Sequence, residues 1–143
     1  MSAQSSLVPG VLSRYSQGMP FDQTSKLIAI IDDDEAMQDS LRDLMEAAGL
    51  AARSFGCAED FLKSDLHCRA ACLIVDVRMP KMSGLELQAK LKEEECNAPI
   101  IFITAHGDAR MRIQAMRSGA VEFLAKPFDH QLLLKRVRSA LSM

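Results

Sequence analysis

The chain predicts an α/β fold built on a parallel sheet, and three observations carry that prediction. From Lys26 onward, short apolar runs alternate with helical stretches of 10–15 residues, the pattern of repeated βα units whose strands lie parallel. Four of the runs lead into residues that can do chemistry. Ile28-Ala29-Ile30-Ile31 runs into Asp32-Asp33-Asp34, Cys72-Leu73-Ile74-Val75 into Asp76, Ile100-Ile101-Phe102-Ile103 into Thr104, and Val121-Glu122-Phe123-Leu124-Ala125 into Lys126-Pro127. Third, five such units between 26 and 142 occupy all of the chain beyond its first 25 residues, which predicts one domain over 26–143. Its 48% apolar and 25% charged residues suit an ordinary globular domain able to bury a core.

Residues 1–25 hold Ser, Gln, Pro9, Gly10, Gly18 and Pro20 without a sustained apolar period. They are expected to form a flexible N-terminal leader, because such a stretch buries too little apolar surface to offset its ordering entropy. Strands are then expected over 27–31, 50–54, 72–75, 100–103 and 121–124. Helices are expected over 35–48, 58–66, 84–95, 107–118 and 129–141. In the first helix Met37, Leu41, Leu44, Met45 and Ala48 recur at helical spacing, and Gly49 follows as a terminator. Gly119 ends the fourth. The last carries Leu134, Val137 and Leu141 on one face, with Lys135, Arg136 and Arg138 around it, and cations near a helix C-terminus suit its dipole.

Composition excludes several function classes. A net charge of −2 gives no bulk attraction to nucleic acid or acidic lipid, and the absence of Trp and a single Tyr leave little for base stacking. No apolar stretch approaches the ~20 residues that span a bilayer, and no secretory signal is visible. A cytoplasmic protein is expected, with no membrane contact and no direct nucleic-acid binding by this chain. Its four cysteines (Cys57, Cys68, Cys72, Cys96) form no C-x-x-C pair and are expected as reduced thiols. A zinc site on His67, Cys68 and Cys72 is disfavoured because Cys72 begins an apolar strand.

The carboxyl ends of strands in an open parallel sheet lie side by side, and ligands bind in the crevice outside them. Asp32, Asp33, Asp76, Thr104 and Lys126 are therefore expected in one pocket. Adjacent carboxylates repel one another, and a hard divalent cation relieves that repulsion; Mg²⁺ suits a site with few carboxylates and several waters. For Asp33-Asp34 an ordinary helix N-cap explains the residues equally well, and Thr104 too could be an N-cap. Lys126, held extended by Pro127, can pair with an anion in the pocket.

The run Ile31-Asp32-Asp33-Asp34, then Asp76-Val77-Arg78-Met79-Pro80 with Ser83-Gly84, then Ile103-Thr104-Ala105, then Lys126-Pro127-Phe128 resembles the receiver domain of two-component response regulators. Thr104-Ala105-His106-Gly107-Asp108 and Ala120-Val121-Glu122-Phe123-Leu124 look most like receivers of the FixJ/NarL type. The resemblance covers residues 26–142. It implies a flavodoxin-like (βα)5 three-layer fold with a five-stranded parallel sheet in the order 2-1-3-4-5. It also implies a phosphoacceptor signalling domain rather than an enzyme, with autophosphorylation and autodephosphorylation as its only intrinsic activities. Asp76 would take a phosphoryl group from a phosphohistidine on a sensor histidine kinase or phosphotransfer protein. Asp33, Asp76 and the Arg78 backbone carbonyl would ligate Mg²⁺, with Asp32 acting through water. Thr104 and Lys126 would read the phosphoryl group, Phe123 would rotate as a switch, and Arg78 and His106 would tune the phosphoryl lifetime.

The surface of 107–141, with Arg110, Arg112, Arg117, Arg136 and Arg138 exposed, would face a downstream protein target, and phosphorylation-dependent pairing of two copies is left open. Two other readings compete. One is the receiver portion of a FixJ-like DNA-binding transcriptional regulator whose output domain lies outside this chain. The other is an aspartate-nucleophile phosphatase of the haloacid dehalogenase type, for which Asp32-Asp33-Asp34 supplies D-x-D. Against it, Glu35-Ala36 follows where that family has a small or Gly-Thr-like pair, and no room is left for a cap.

Overall fold

The computed structural model describes residues 26–105 and 107–142. The expected leader over 1–25 and His106 lie outside the described residues. Among these, strands and helices alternate as β1 (Ile28–Ile31), α1 (Glu35–Ala47), β2 (Ala52–Phe55), α2 (Ala58–Leu62) and β3 (Cys72–Asp76). Then come α3 (Gly84–Glu93), β4 (Ile100–Thr104), α4 (Ala109–Arg117), β5 (Glu122–Ala125) and α5 (His130–Leu141). The strands form one parallel sheet in the order β2-β1-β3-β4-β5. This is the flavodoxin-like order, and its reversal point lies between β1 and β3.

Three of the central strands are buried along their whole length, so they read as continuous apolar runs rather than as alternating ones. Alternate residues still divide between two cores. Ala29, Ile31, Leu73, Val75, Phe102 and Phe123 pack with Phe61 of α2, Leu87 of α3 and Ala115 of α4. Ile28, Ile30, Ile74, Ile101 and Ile103 pack with Leu41 and Met45 of α1 and Leu133 and Val137 of α5. The result is three layers. Each fully buried side chain of this size contributes roughly 1.5–3 kcal/mol relative to exposure.

Caps set the helix boundaries. The Asp34 carboxylate accepts from the backbone N–H groups of Ala36 (3.0 Å) and Met37 (3.4 Å), satisfying donors that the first turn leaves unpaired. Ser83 and Glu86 form a reciprocal capping box on α3, with bonds of 3.1 and 2.8 Å. Asp108 and Asp129 cap α4 and α5. Thr104 is thus the last residue of β4 and not an N-cap. Gly49 follows α1 at φ +78°, a left-handed conformation that glycine adopts without a Cβ penalty.

Three expectations need correction. β2 lies at 52–55 rather than 50–54, and α2 ends at Leu62 rather than near 66, because the Ser64 hydroxyl accepts from the Leu66 N–H at 3.1 Å and turns the chain. The thiols are not all reduced. Cys68 and Cys96 are joined in a disulfide with their Cα atoms 5.1 Å apart, within the usual range for that bond. Cys57 and Cys72 are free. Burial pushes the Cys72 thiol up to about 12, and the Cys57 sulfur accepts from the Asp60 N–H as the cap of α2.

Candidate functional site

The sheet brings the strand-end residues together. Asp32, Asp33 and Asp76 each present a carboxylate oxygen, and these oxygens all lie within 4.8 Å of one another. Asp32 is fully buried and Asp76 is 6% exposed, whereas Asp33 is exposed at the mouth. The Asp triplet therefore divides its labour: Asp34 caps α1, leaving Asp32 and Asp33 to the pocket. Lys126 reaches across from the end of β5 and donates at 3.1 Å to Oδ2 of both Asp32 and Asp76. The Lys126–Pro127 peptide is cis.

The remaining lone pairs of the two buried carboxylates meet backbone donors. Asp32 Oδ1 accepts from the Asp34 N–H at 2.9 Å, and Asp76 Oδ1 accepts from the Arg78 N–H at 3.1 Å. Gln38 of α1 donates to the Asp32 backbone carbonyl at 2.7 Å, fixing the turn that aims Asp32 inward. Gly84 fixes the other wall. A Cβ there would stand 2.6 Å from the Asp76 carbonyl oxygen and 3.0 Å from Val77 Cα, so α3 can begin this close beneath the loop after β3 only with glycine at this position. The Gly84 N–H donates to Val77 O at 2.8 Å.

Burial and pairing pull the titrations in opposite directions. For Asp32, burial raises the pKa, outweighing the lowering by the Asp34 N–H and by the Lys126 hydrogen bond; the Asp76 charge adds to the rise. For Lys126, burial works against the ammonium, but the bonds and charges of Asp32 and Asp76 together overcome it, and its pKa stands above the ordinary value of 10.5. The pocket therefore holds more negative charge than one ammonium can offset. Its hard oxygen donors, few in number and open to solvent at Asp33, fit Mg²⁺ better than a thiophilic cation.

Thr104 is fully buried at the end of β4. Its neighbour β5 pairs Ala125 with it in register, and Lys126 N–H donates to the Thr104 carbonyl at 2.8 Å. Phe123, two residues earlier on β5, is buried with its ring 6.3 Å from that of Phe102. A Cβ on Gly107 would meet Thr104 Cγ2 at 2.5 Å and Phe123 Cε1 at 2.9 Å, so the loop after β4 lies against both side chains.

Sequence reasoning missed what ties this region to the helices. Arg112 of α4 donates to the Phe123 carbonyl at 2.8 Å, and Arg136 of α5 donates to Glu122 Oε2 at 3.0 Å. Burial pushes Glu122 toward the neutral form, yet the Phe123 N–H, Arg136 and Arg112 together hold its carboxyl below the ordinary value. Arg112 and Arg136 are thus engaged within the domain, Arg136 being half-buried. Arg110, Arg112, Arg117 and Arg138 are exposed, as expected. So are Ile113 and Met116 on α4.

A three-layer sheet with this carboxylate pocket at its switch point defines the class: the chain belongs to the response regulator receiver domain family, which it matches over residues 28–138. Within that family it is similar to FixJ-like receivers of two-component regulators. It is 43% identical over 116 residues to the transcriptional regulatory protein TdiR of Thauera aromatica, covering 81% of this chain and 51% of that protein. It is 43% identical over 135 residues to the response regulator protein TmoT of Ectopseudomonas mendocina, covering 94% and 60%. Among solved structures, the response regulator StyR superposes with a TM-score of 0.76 at 42% identity, covering 82% of this chain and 59% of that one. FixJ-N superposes at 0.75 with 37% identity, covering 82% and 94%. The chain spans about half to three-fifths of the length of these curated relatives. Among the described residues no helix is long and apolar enough to cross a membrane.

Proposed function

We propose that Asp76 is the phosphoacceptor of a two-component phosphorelay, taking a phosphoryl group from a histidine kinase or phosphotransfer protein in the cytoplasm. The observation that carries this reading is the Lys126 ammonium bridging the buried Asp32 and Asp76 carboxylates at the reversal point of the sheet. In the transfer, an Asp76 oxygen bonds to phosphorus as the phosphorus–nitrogen bond of the donor imidazole breaks, and the imidazole retains that electron pair. Such in-line transfer needs positioning and charge stabilisation more than covalent help. The Arg78 N–H and Lys126 hold the Asp76 carboxylate in place. Asp33, Asp76 and the Arg78 carbonyl would hold Mg²⁺ directly and Asp32 through water, the ion supplying neutralisation of the phosphoryl oxygens.

The product carries roughly −1.5 to −2 charge. Lys126 is placed to pair with it, and the Thr104 hydroxyl is one strand away to donate to a phosphoryl oxygen. Movement of Thr104 would change the packing around Gly107 and Phe123, and the Arg112 bond to the Phe123 carbonyl would pass that change to α4. By the resemblance to the family, Arg78 and His106 would tune the phosphoryl lifetime. The domain acts as a switch for a downstream protein rather than as an enzyme with turnover. The names of its relatives, transcriptional regulators among them, support a place in a FixJ-like regulator whose DNA-binding part is outside these residues. Incubation with Mg²⁺ and acetyl phosphate, followed by intact mass measurement, tests the reading. One labile phosphoryl group per chain is expected, whereas sustained release of phosphate without a labelled protein would point to the phosphatase chemistry instead.

A further inference from the structure

At the opposite end of the strands from Asp76, the turn before β3 and the turn before β4 bring together a second set of ligating side chains. His67 Nε2 lies 2.6 Å from Glu94 Oε1, and His67, Glu94 and Cys96 offer ligand atoms that all lie within 4.8 Å of one another. Cys68, next to His67, is bonded to Cys96. One nitrogen, one carboxylate oxygen and the Cys96 sulfur therefore converge, and the Cys68 sulfur is bonded to the last of them across a sequence separation of 28.

Both segments are fixed by the fold. On one side, Leu66 and Ala70 are buried in the core, and the His67 ring packs edge-on against Phe61 with centroids 6.5 Å apart. On the other, Glu94 is the C-cap of α3, Glu95 takes φ +60°, and the Cys96 N–H donates to Leu91 O at 2.8 Å. An exposed His–Glu pair alone contributes little. Two adjoining sulfurs change its chemistry, because thiolates with imidazole and carboxylate are the donors that zinc prefers and magnesium does not. The trio His67, Cys68 and Cys72 is a different set, and Cys72, buried in β3, does not contribute.

We propose that Cys68, Cys96, His67 and Glu94 form a thiol-dependent zinc site. A dithiol reductant supplies two electrons and two protons, cleaves the Cys68–Cys96 bond to two thiols and is itself oxidised to a disulfide. Binding of Zn²⁺ then releases the two thiol protons and joins both thiolates, the neutral His67 nitrogen and a Glu94 oxygen around one ion. The two turns stay tied in either state, by the disulfide when oxidised and by the metal when reduced. A disulfide oxidant reverses this: it takes two electrons from the two thiolates and is itself reduced to a dithiol, the Cys68–Cys96 bond re-forms and the ion is released.

Cobalt titration of the full chain tests this, with saturating Mg²⁺ present so that the acidic pocket does not compete. After reduction with a phosphine, one equivalent of Co²⁺ should produce thiolate-to-metal charge-transfer absorption, and Zn²⁺ should displace it stoichiometrically. The oxidised protein should show none. Cys68→Ser and Cys96→Ser should each remove most of that absorption. His67→Ala should weaken binding by at least the ~10–100-fold that follows loss of an outer partner of a metal ligand, and Cys57→Ser should bind as the wild type does. Circular dichroism of each variant confirms folding. Absence of charge-transfer absorption in the reduced wild type overturns the proposal, as does unchanged affinity in His67→Ala or a loss that follows Cys57.

Discussion

Replacing Lys126 with methionine keeps much of the side chain's length and removes its charge, leaving two buried carboxylates facing each other. Both ion pairs are 3.1 Å long, and the side chains are 14% (Lys126), 1% (Asp32) and 9% (Asp76) exposed. At an effective dielectric constant of about 20, Coulomb's law gives roughly 5 kcal/mol of attraction for each pair. Desolvation offsets much of that, but the carboxylates remain buried after the substitution, so the loss on breaking the pairs should reach about 3–5 kcal/mol. Urea unfolding at neutral pH, without divalent cations, measures it. Asp32→Asn in the Lys126→Met background should recover part of the loss, because the surviving repulsion is removed. Mg²⁺ should stabilise Lys126→Met more than the wild type, since a bound cation replaces the missing charge. A loss below about 1 kcal/mol, the range of solvated surface pairs, would refute the view that Lys126 offsets the charge of a buried acidic pocket.

Three further outcomes follow from the same contacts. Gly84→Ala should cost about 1–3 kcal/mol in urea unfolding, because its Cβ would collide with the backbone carbonyl of Asp76; a neutral effect would show that the acceptor loop can move aside. Glu122 titrates below its ordinary value of 4.5 in the folded protein, so its contribution to stability is present above 4.5 and lost as pH falls through its folded pKa. The stability advantage of wild type over Glu122→Gln should accordingly shrink in acid, and a constant difference across that window would contradict the pairing with Arg136 and Arg112. Lys126 has the opposite sign. Its pKa is raised above 10.5, so its stabilisation is complete below 10.5 and disappears only as pH rises through the folded value, which an alkaline unfolding series on wild type and Lys126→Met would detect.

Much of the fold was legible because β1, β3 and β4 are buried on both faces and therefore continuous in apolar sequence. β2 was placed two residues early because Ala52-Arg53-Ser54-Phe55 lies at the edge of the sheet, half-buried, and has no such run. The pocket was legible from strand ends alone, since parallel pairing aligns them whatever the loops do. Of the three consecutive aspartates, Asp32 and Asp33 are the two expected in the pocket, and Asp34 caps α1 beyond the turn held by Gln38. The Cys68–Cys96 pair was illegible, because nothing in a spacing of 28 residues announces that two turns meet. The arginines of α4 and α5 looked alike in sequence, and it is Glu122 and the Phe123 carbonyl that set Arg112 and Arg136 apart.

The central claim concerns Asp76, and phosphoryl labelling addresses it most directly. Wild type and Asp76→Asn are incubated with Mg²⁺ and acetyl phosphate, and the intact masses are compared before the adduct decays. The wild type should gain one phosphoryl group that is lost on standing or in mild alkali, while Asp76→Asn should gain none. Equal labelling of the two proteins would contradict the assignment of Asp76 as the acceptor.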